Sequence, residues 1–227
     1  MGNGPSLRLM DLDLLKDDVV WGFNKCYLLY DQVNWRPNFY VTNDPRLTRH
    51  ISSEIHELIH QADHTWFFFP SHFFQEKVLE PPKDTYWYLE KTWDEEEAHN
   101  NWSFTRDASN WVAASATVTI AGLQLAVYLG FNPIYLIGCD TSYKIPDTVL
   151  VEGSKENLVS TENDDPNHFS LSYSGKGDRW SLPDVELMIH QYSKSKEVLD
   201  EMGIDVFNAT VGGNLEVFPR VSFESLF

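Results

Sequence analysis

The chain of 227 residues is poor in cysteine, poor in positive charge and without any long apolar run. Its two cysteines, Cys26 and Cys139, lie far apart in apolar surroundings, which argues against a disulfide framework or a thiolate metal site and for two buried free thiols. No uninterrupted apolar stretch approaches the roughly 20 residues of a membrane helix. The N-terminus has neither the basic start nor the apolar stretch of a signal peptide, so a cytoplasmic location and no stable membrane insertion are expected. Seventeen lysines and arginines stand against 34 aspartates and glutamates, a formal charge of −17. Such a field repels phosphate backbones and anionic lipid, and nucleic acid is excluded as a partner. Any anionic ligand must therefore be held by backbone N–H groups, helix N-termini, a metal or a few local cations.

Internal repeats and low-complexity linkers are also missing, and an apolar content of 42% beside 22% charged residues is that of a globular chain. A single domain over 1–227 is expected. Val19–Phe23, Phe39–Val41, Thr65–Phe69, Ile134–Ile137 and Ile204–Phe207 read as short buried strands. Helices are expected over 46–62, Thr117–Leu129 and from Pro183-Asp184 to Met202, the last closed by Gly203. This alternation predicts an α/β, Rossmann-like, mostly parallel sheet with helices on both faces. Residues 71–116, rich in tryptophan and tyrosine beside the acidic run Asp94-Glu95-Glu96-Glu97, read as an aromatic insertion packed over the sheet. Residues 144–181, rich in Asp, Asn, Ser and Gly, read as a long loop or lid.

In open α/β sheets, ligands bind beyond the carboxyl ends of the strands. Four polar groups are expected there: Asn3, Asn24, Asn43 and Asp140. The opening Gly2-Asn3-Gly4-Pro5-Ser6 is a glycine turn whose backbone can approach a phosphate closely. Gly138-Cys139-Asp140 ends the most strand-like segment, and Tyr143 and Lys144 follow it. Asp140 suits a ribose hydroxyl or Mg²⁺, and it equally suits a loop anchor. His168, inside Asn163-Asp164-Asp165-Pro166-Asn167-His168-Phe169, is the simplest candidate for a general base.

Competing motifs carry less. His56-Glu57-Leu58-Ile59-His60 matches a zinc-peptidase pattern, but neither the glycine nor the distal histidine of the extended motif follows, and a solvated histidine face is the plainer reading. Met1-Gly2 with Ser6 formally fits a myristoylation signal, with no basic patch for a second anchor. Asn101-Trp102-Ser103 and Asn208-Ala209-Thr210 match glycosylation acceptors in a chain that shows no secretory signal.

Gly2-Asn3-Gly4-Pro5-Ser6-Leu7, Gly22-Phe23-Asn24-Lys25, the strand ending Thr42-Asn43-Asp44-Pro45, and Leu129-Gly130-Phe131 with Ile134-Tyr135-Leu136-Ile137-Gly138-Cys139-Asp140 together resemble the MptE-like superfamily. It takes in archaeal 6-hydroxymethylpterin diphosphokinases, flagellar motility accessory factors and the bacterial sialyltransferases that decorate lipooligosaccharide. The sialyltransferase resemblance implies a nucleotide-dependent transfer from a CMP-activated acidic sugar to a hydroxyl acceptor, without an obligatory cofactor. It places Asn3 and Ser6 on the phosphates, with Gly2, Gly4 and Gly138 shaping that turn. Asn24 and Asn43 fall on the cytidine or ribose side, Thr117 at a phosphate-facing helix and Asp140 on the ribose. Tyr143 would assist phosphate departure and His168 deprotonate the acceptor. Ser142 stands where the first of a tyrosine pair would be, and an alternative alignment puts Ser172 at the catalytic place.

The diphosphokinase resemblance implies instead ATP, Mg²⁺ held by Asp44 and Asp140, and a pterin stacked on the aromatic segment. A non-catalytic nucleotide-binding or assembly domain is the third reading. Relatives carry an apolar strand just before the glycine turn, so the resemblance also implies a sheet lacking its first strand, either rearranged or completed by a homo-oligomer.

Overall fold

The computed structural model describes residues 1–79, 85–154 and 157–227, apart from the side chain of Glu95. Two 3-10 turns, Pro5–Leu9 and Leu12–Asp17, lead to β1 (Trp21–Phe23), and a third, Asn24–Leu29, follows it. Next come β2 (Phe39–Val41), α1 (Pro45–His50), α2 (Ser52–Gln61), β3 (Trp66–Pro70), α3 (His72–Gln75) and β4 (Thr85–Tyr88). Short β5 (Glu90–Lys91), α4 (Glu95–Asn100) and β6 (Val112–Ala113) precede α5 (Val118–Tyr128) and β7 (Ile134–Leu136). The chain then forms β8 (Val149–Val151), β9 (Leu158–Ser160) and β10 (Arg179–Trp180), and ends with α6 (Val185–Met202), β11 (Val206–Asn208) and a 3-10 turn, Phe223–Leu226.

Strands β1 to β4 pair side by side in sequence order, all parallel, and β11 pairs parallel with β7. Side chains alternate between the two faces of a strand, and both faces here are apolar. Tyr40, Phe67 and Phe69 pack with Ile51 and Ile55 around α2. Phe23, Val41 and Phe68 pack on the opposite face against Ala121 and Leu125 of α5. Burial on both faces explains why these strands are continuous apolar runs without alternation. The architecture is the expected mixed α/β, Rossmann-like one, and among the described residues no helix is long and apolar enough to cross a membrane.

Three segments differ from their sequence reading. Residues 71–116 are not simply an insertion over the sheet: Tyr86, Trp87 and Tyr88 belong to β4, its fourth strand. Their aromatic density reflects stacking along the sheet, with Trp66, Phe68 and Tyr86 in ring contact. Positions 80–84 of that segment lie outside the described residues. Residues 144–181 contain a three-stranded antiparallel sheet, β10-β9-β8, too short in each strand to show periodicity in the sequence; positions 155–156 lie outside the described residues. The helix expected over 46–62 is two helices meeting at Ile51, whose φ of −105° and ψ of 22° interrupt the helical path.

Strands β1 and β7 face each other without pairing, and among the described residues no strand lies between them. Met1 and Gly2 bridge them, meeting the first residue of β1 and the residue just after β7. The Met1 ammonium donates to the Trp21 carbonyl at 2.9 Å, and the Gly2 amide donates to that of Ile137 at 2.7 Å. Burial pushes the Met1 amine below its ordinary value. Behind this bridge lies a cavity of about 530 Å³, lined by Met1, Trp21, Phe23, Leu123, Phe131, Tyr135 and Phe223 among others. Ile134 and Leu136 bond toward β11, so alternation turns the Tyr135 backbone groups toward this slot. An extended run of about five apolar residues joined ahead of Met1 is expected to fill the slot, pair with the free edge of β7 and raise the Tm by at least about 4 °C. Calorimetry of the extended and original chains checks this, and an unchanged Tm refutes it.

Candidate active site

The site is organised by a backbone contact between the glycine turn and the end of β7. The Gly2 amide donates to the Ile137 carbonyl, and the Gly4 amide to that of Gly138 at 2.9 Å. A Cβ on Gly2 would overlap the Gly138 carbonyl oxygen, and one on Gly4 would overlap the Asp140 carboxylate. Ser6 completes the clasp: its amide donates to Asp140 Oδ1 at 3.2 Å and its hydroxyl to Oδ2 at 2.7 Å. The amides of Gly2, Gly4 and Ser6 are thus engaged within the protein; Ser6 is the one of these expected on a phosphate. The glycines admit the close approach of another strand end. Burial raises the Asp140 carboxyl above its usual range, with the Ser6 bonds opposing it.

Asn3 projects from the middle of this clasp. Its Nδ2 donates to the Phe23 carbonyl at 3.0 Å and to the Tyr173 hydroxyl at 3.2 Å, which fixes the amide orientation, because a carbonyl only accepts. Its Oδ1 is buried with no partner, and so is Oδ1 of Asn24. Asn24 sits at the end of β1 with a left-handed φ of 49°, an arrangement costly for a residue with a side chain. Buried acceptors without donors are rare and costly in native proteins. Both asparagines line a cavity of about 90 Å³, together with Gly2, Gly4, Thr117, Gly138, Asp140, Tyr143 and His168. A larger cavity of about 460 Å³ shares Asn24, Thr117, Tyr143 and His168 and extends past Asn43, Asp44, Arg46, Glu90 and Trp180. The shared lining makes one cleft, at the carboxyl ends of the strands.

The segment after β9 delivers the catalytic candidate. His168 Nδ1 lies 2.8 Å from Asp165 Oδ2, and its ring stacks on Tyr173 with centroids 3.7 Å apart. Burial works to raise the Asp165 carboxyl, but bonds from His168 and from the Asn167 and Ser174 amides outweigh it and hold it below the usual range. An ionised Asp165 accepts the Nδ1 proton, which leaves Nε2 with its lone pair. Arg8 grips the carbonyls of His168 and Phe169, and the Phe169 amide donates to the Asn3 carbonyl. Ser172 is exposed, bonds Ser170 and does not line the cleft. Burial pushes the Tyr143 phenol up to about 12, so it keeps its proton.

Other expected residues have structural partners. Thr117 caps α5 by accepting from the Thr119 amide, and Asp44 caps α1 by accepting from those of Arg46 and Leu47. Asp44 lines the larger cavity and Asp140 the smaller, and each carboxylate accepts hydrogen bonds from the protein. His56, Glu57, His60 and His64 are exposed along α2 and its end. Among the described residues no three His, Cys, Asp or Glu side chains cluster as metal ligands.

No protein-family model and no curated protein matches the chain. Its fold is similar to that of the MAf glycosyltransferase from Magnetospirillum magneticum AMB-1, with a TM-score of 0.59 at 18% identity. The fold resembles a glycosyltransferase's. The alignment covers all of this chain and 33% of that one, so the chain spans about a third of its length. At this identity the likeness concerns the fold.

Glu90 lines the cleft, and Asp165 stands behind its histidine. In the sequence Asp165 is one polar loop residue among several, because a three-residue separation from His168 carries no signal without the turn that joins them. Glu90 follows β4 at the same sheet edge as Asn24 and Asn43, a position that only the pairing of 85–88 with β3 reveals. Its side chain is 6% exposed; Asn43 Nδ2 lies 3.4 Å from Oε1 and His72 Nδ1 3.7 Å from Oε2. Burial raises its carboxyl to about 7, with the Asn43 bond opposing the shift.

A raised folded-state value favours folding below the unfolded value and loses that advantage as pH rises through the folded one. Glu90→Gln is therefore expected to match the parent's Tm near pH 4 and to exceed it at about pH 8; identical Tm profiles would remove the burial argument. Gly2→Ala is expected to destabilise by about 2 kcal/mol, roughly 5 °C in Tm, because the Gly138 carbonyl is backbone and has little room to yield. Thermal melts check both.

Proposed function

We propose that the chain transfers a CMP-activated acidic sugar to a hydroxyl acceptor. The observation that carries this reading is the Asp165–His168 pair opening onto a cleft whose buried asparagine acceptors, Asn3 and Asn24, lack protein donors. Likeness of fold to a glycosyltransferase supports the same reaction class. The strongly acidic chain places Arg46 on the larger cavity and the N-terminus of α5 beside both cavities, the local features that an anionic donor requires.

In this mechanism His168 Nε2 takes the proton of the acceptor hydroxyl. The freed oxygen forms its bond to the anomeric carbon as the bond from that carbon to the phosphate oxygen breaks. Electrons of the broken bond leave with CMP, and the proton stays on the imidazole until water removes it. Asp165 steadies the imidazolium. A phenol at about 12 does not ionise near neutrality, so Tyr143 acts by donating a hydrogen bond to the departing phosphate. Asn24 and Asn43 would receive the nucleoside, with Asp140 and Ser6 holding the floor of the site rather than the phosphate directly.

His168→Ala is expected to lower kcat by about 10²–10⁴ while CMP binding persists, and Asp165→Asn to lower kcat with little change in KM. CMP release should continue in EDTA. Donor hydrolysis and transfer, followed by chromatography of released CMP, measure all three. Wild-type kcat in His168→Ala, or ATP-to-AMP turnover that requires Mg²⁺, would overturn the reading.

A further inference from the structure

We infer that Glu90 receives two hydroxyl groups of the ligand, so that the larger cavity recognises a vicinal diol. The side chain stands in the cavity wall, almost wholly removed from solvent. A carboxylate offers about four lone-pair positions. Here it meets one long bond, from Asn43 at 3.4 Å, and His72 lies beyond hydrogen-bond distance at 3.7 Å. Burying an ionised group with so few donors is unfavourable, and the imbalance ends when a ligand brings donors of its own. Two adjacent hydroxyls match the two carboxylate oxygens in spacing and bring no charge into the pocket. The other charged residues of the lining, Lys25, Arg46 and Arg179 against Asp44 and Asp178, nearly cancel, so the cavity asks for no further charge at this point.

The inference rests on reading the cleft as a nucleotide-sugar site, in which a vicinal diol has two sources: the ribose of the nucleotide or the sugar that is transferred. It adds a proton to the binding equilibrium. With its carboxyl raised to about 7, Glu90 is partly protonated near neutrality, and two donated hydroxyls demand the ionised form. Binding therefore expels a proton and tightens as pH rises from about 6 to 8. The groups that neighbour Glu90 are His72 on α3, Asn43 after β2 and Tyr88 on the preceding strand, and the titratable groups sharing its cavity are Lys25, Asp44, Arg46, His50, Tyr143, His168, Tyr173, Asp178 and Arg179. Comparison with Glu90→Gln, which retains size and shape, separates the Glu90 proton from those of the histidines.

Calorimetric titration of the full chain in two buffers of different ionisation heat counts the protons released, using CMP, 2′-deoxy-CMP and N-acetylneuraminic acid as probes. Proton release with CMP that is absent with 2′-deoxy-CMP assigns the ribose; release with N-acetylneuraminic acid alone assigns the sugar. In either case Glu90→Gln should lose the release and bind the assigned probe roughly ten- to hundredfold more weakly. Equal affinities and proton counts in parent and variant, or no binding of any probe at millimolar concentration, overturn the inference. The comparison of CMP with its deoxy form needs no variant, so it holds even where Glu90→Gln does not fold. Diol-linked binding without sugar transfer would sink the transferase reading and leave this one. Transfer without a Glu90-linked proton would do the reverse.

Discussion

Two backbones touch where the turn at residues 2–4 meets the end of β7 at 138–140, and the site depends on that contact. Only glycine tolerates it: a Cβ at position 2 or 4 would occupy the space of the Gly138 carbonyl or the Asp140 carboxylate. Because the two segments are bonded amide to carbonyl, Asn3 is held over the end of β1, where it meets Phe23 and Tyr173. Its second amide atom is left without a donor. In an otherwise acidic molecule the N-terminus of α5, which lies beside both cavities, is a local feature that favours negative charge.

The histidine-bearing segment is fastened to the same frame from several directions. Arg8 holds its carbonyls, and Lys25, itself buried, joins the Tyr173 carbonyl at 2.7 Å and Asp178 at 2.9 Å. His50 reaches the other Asp178 oxygen at 3.0 Å. A buried lysine with a carboxylate and a carbonyl is costly to break, because loss of one partner strands the other away from water. These ties explain how an irregular segment can present His168 with a fixed ring orientation. They also join the glycine turn, the end of β1 and the segment after β9 into one unit, so a disturbance in any of them reaches the imidazole.

Much of the frame was legible in the residue order. Phe39–Val41 is a strand where its β-rich composition put one, and α6 opens after Pro183-Asp184 and closes at Gly203, as the proline entry and the glycine stop require. Asn3, Asn24, Asp140, Tyr143 and His168 do share a cavity. What escaped was the use made of the residues. A glycine turn reads alike whether a phosphate or a strand end approaches it, and only the paired amides of Gly2, Gly4 and Ser6 distinguish the two. The tyrosines and tryptophan of 86–88 read as a cover because aromatic density carries no period; pairing with β3 makes them a strand.

Composition and local pattern alone determined that the chain forms an α/β sheet of buried parallel strands, carries an acidic field and gathers polar residues at strand ends. Those properties follow from short-range sterics, burial of apolar runs and summed charge, all of which are local or additive along the chain. Tertiary structure alone decided that Asp165 orients His168, that Glu90 joins Asn43, and that β1 and β7 face an apolar cavity instead of each other. Each of these depends on the relative placement of segments far apart in sequence, and no period or spacing within a single segment encodes it.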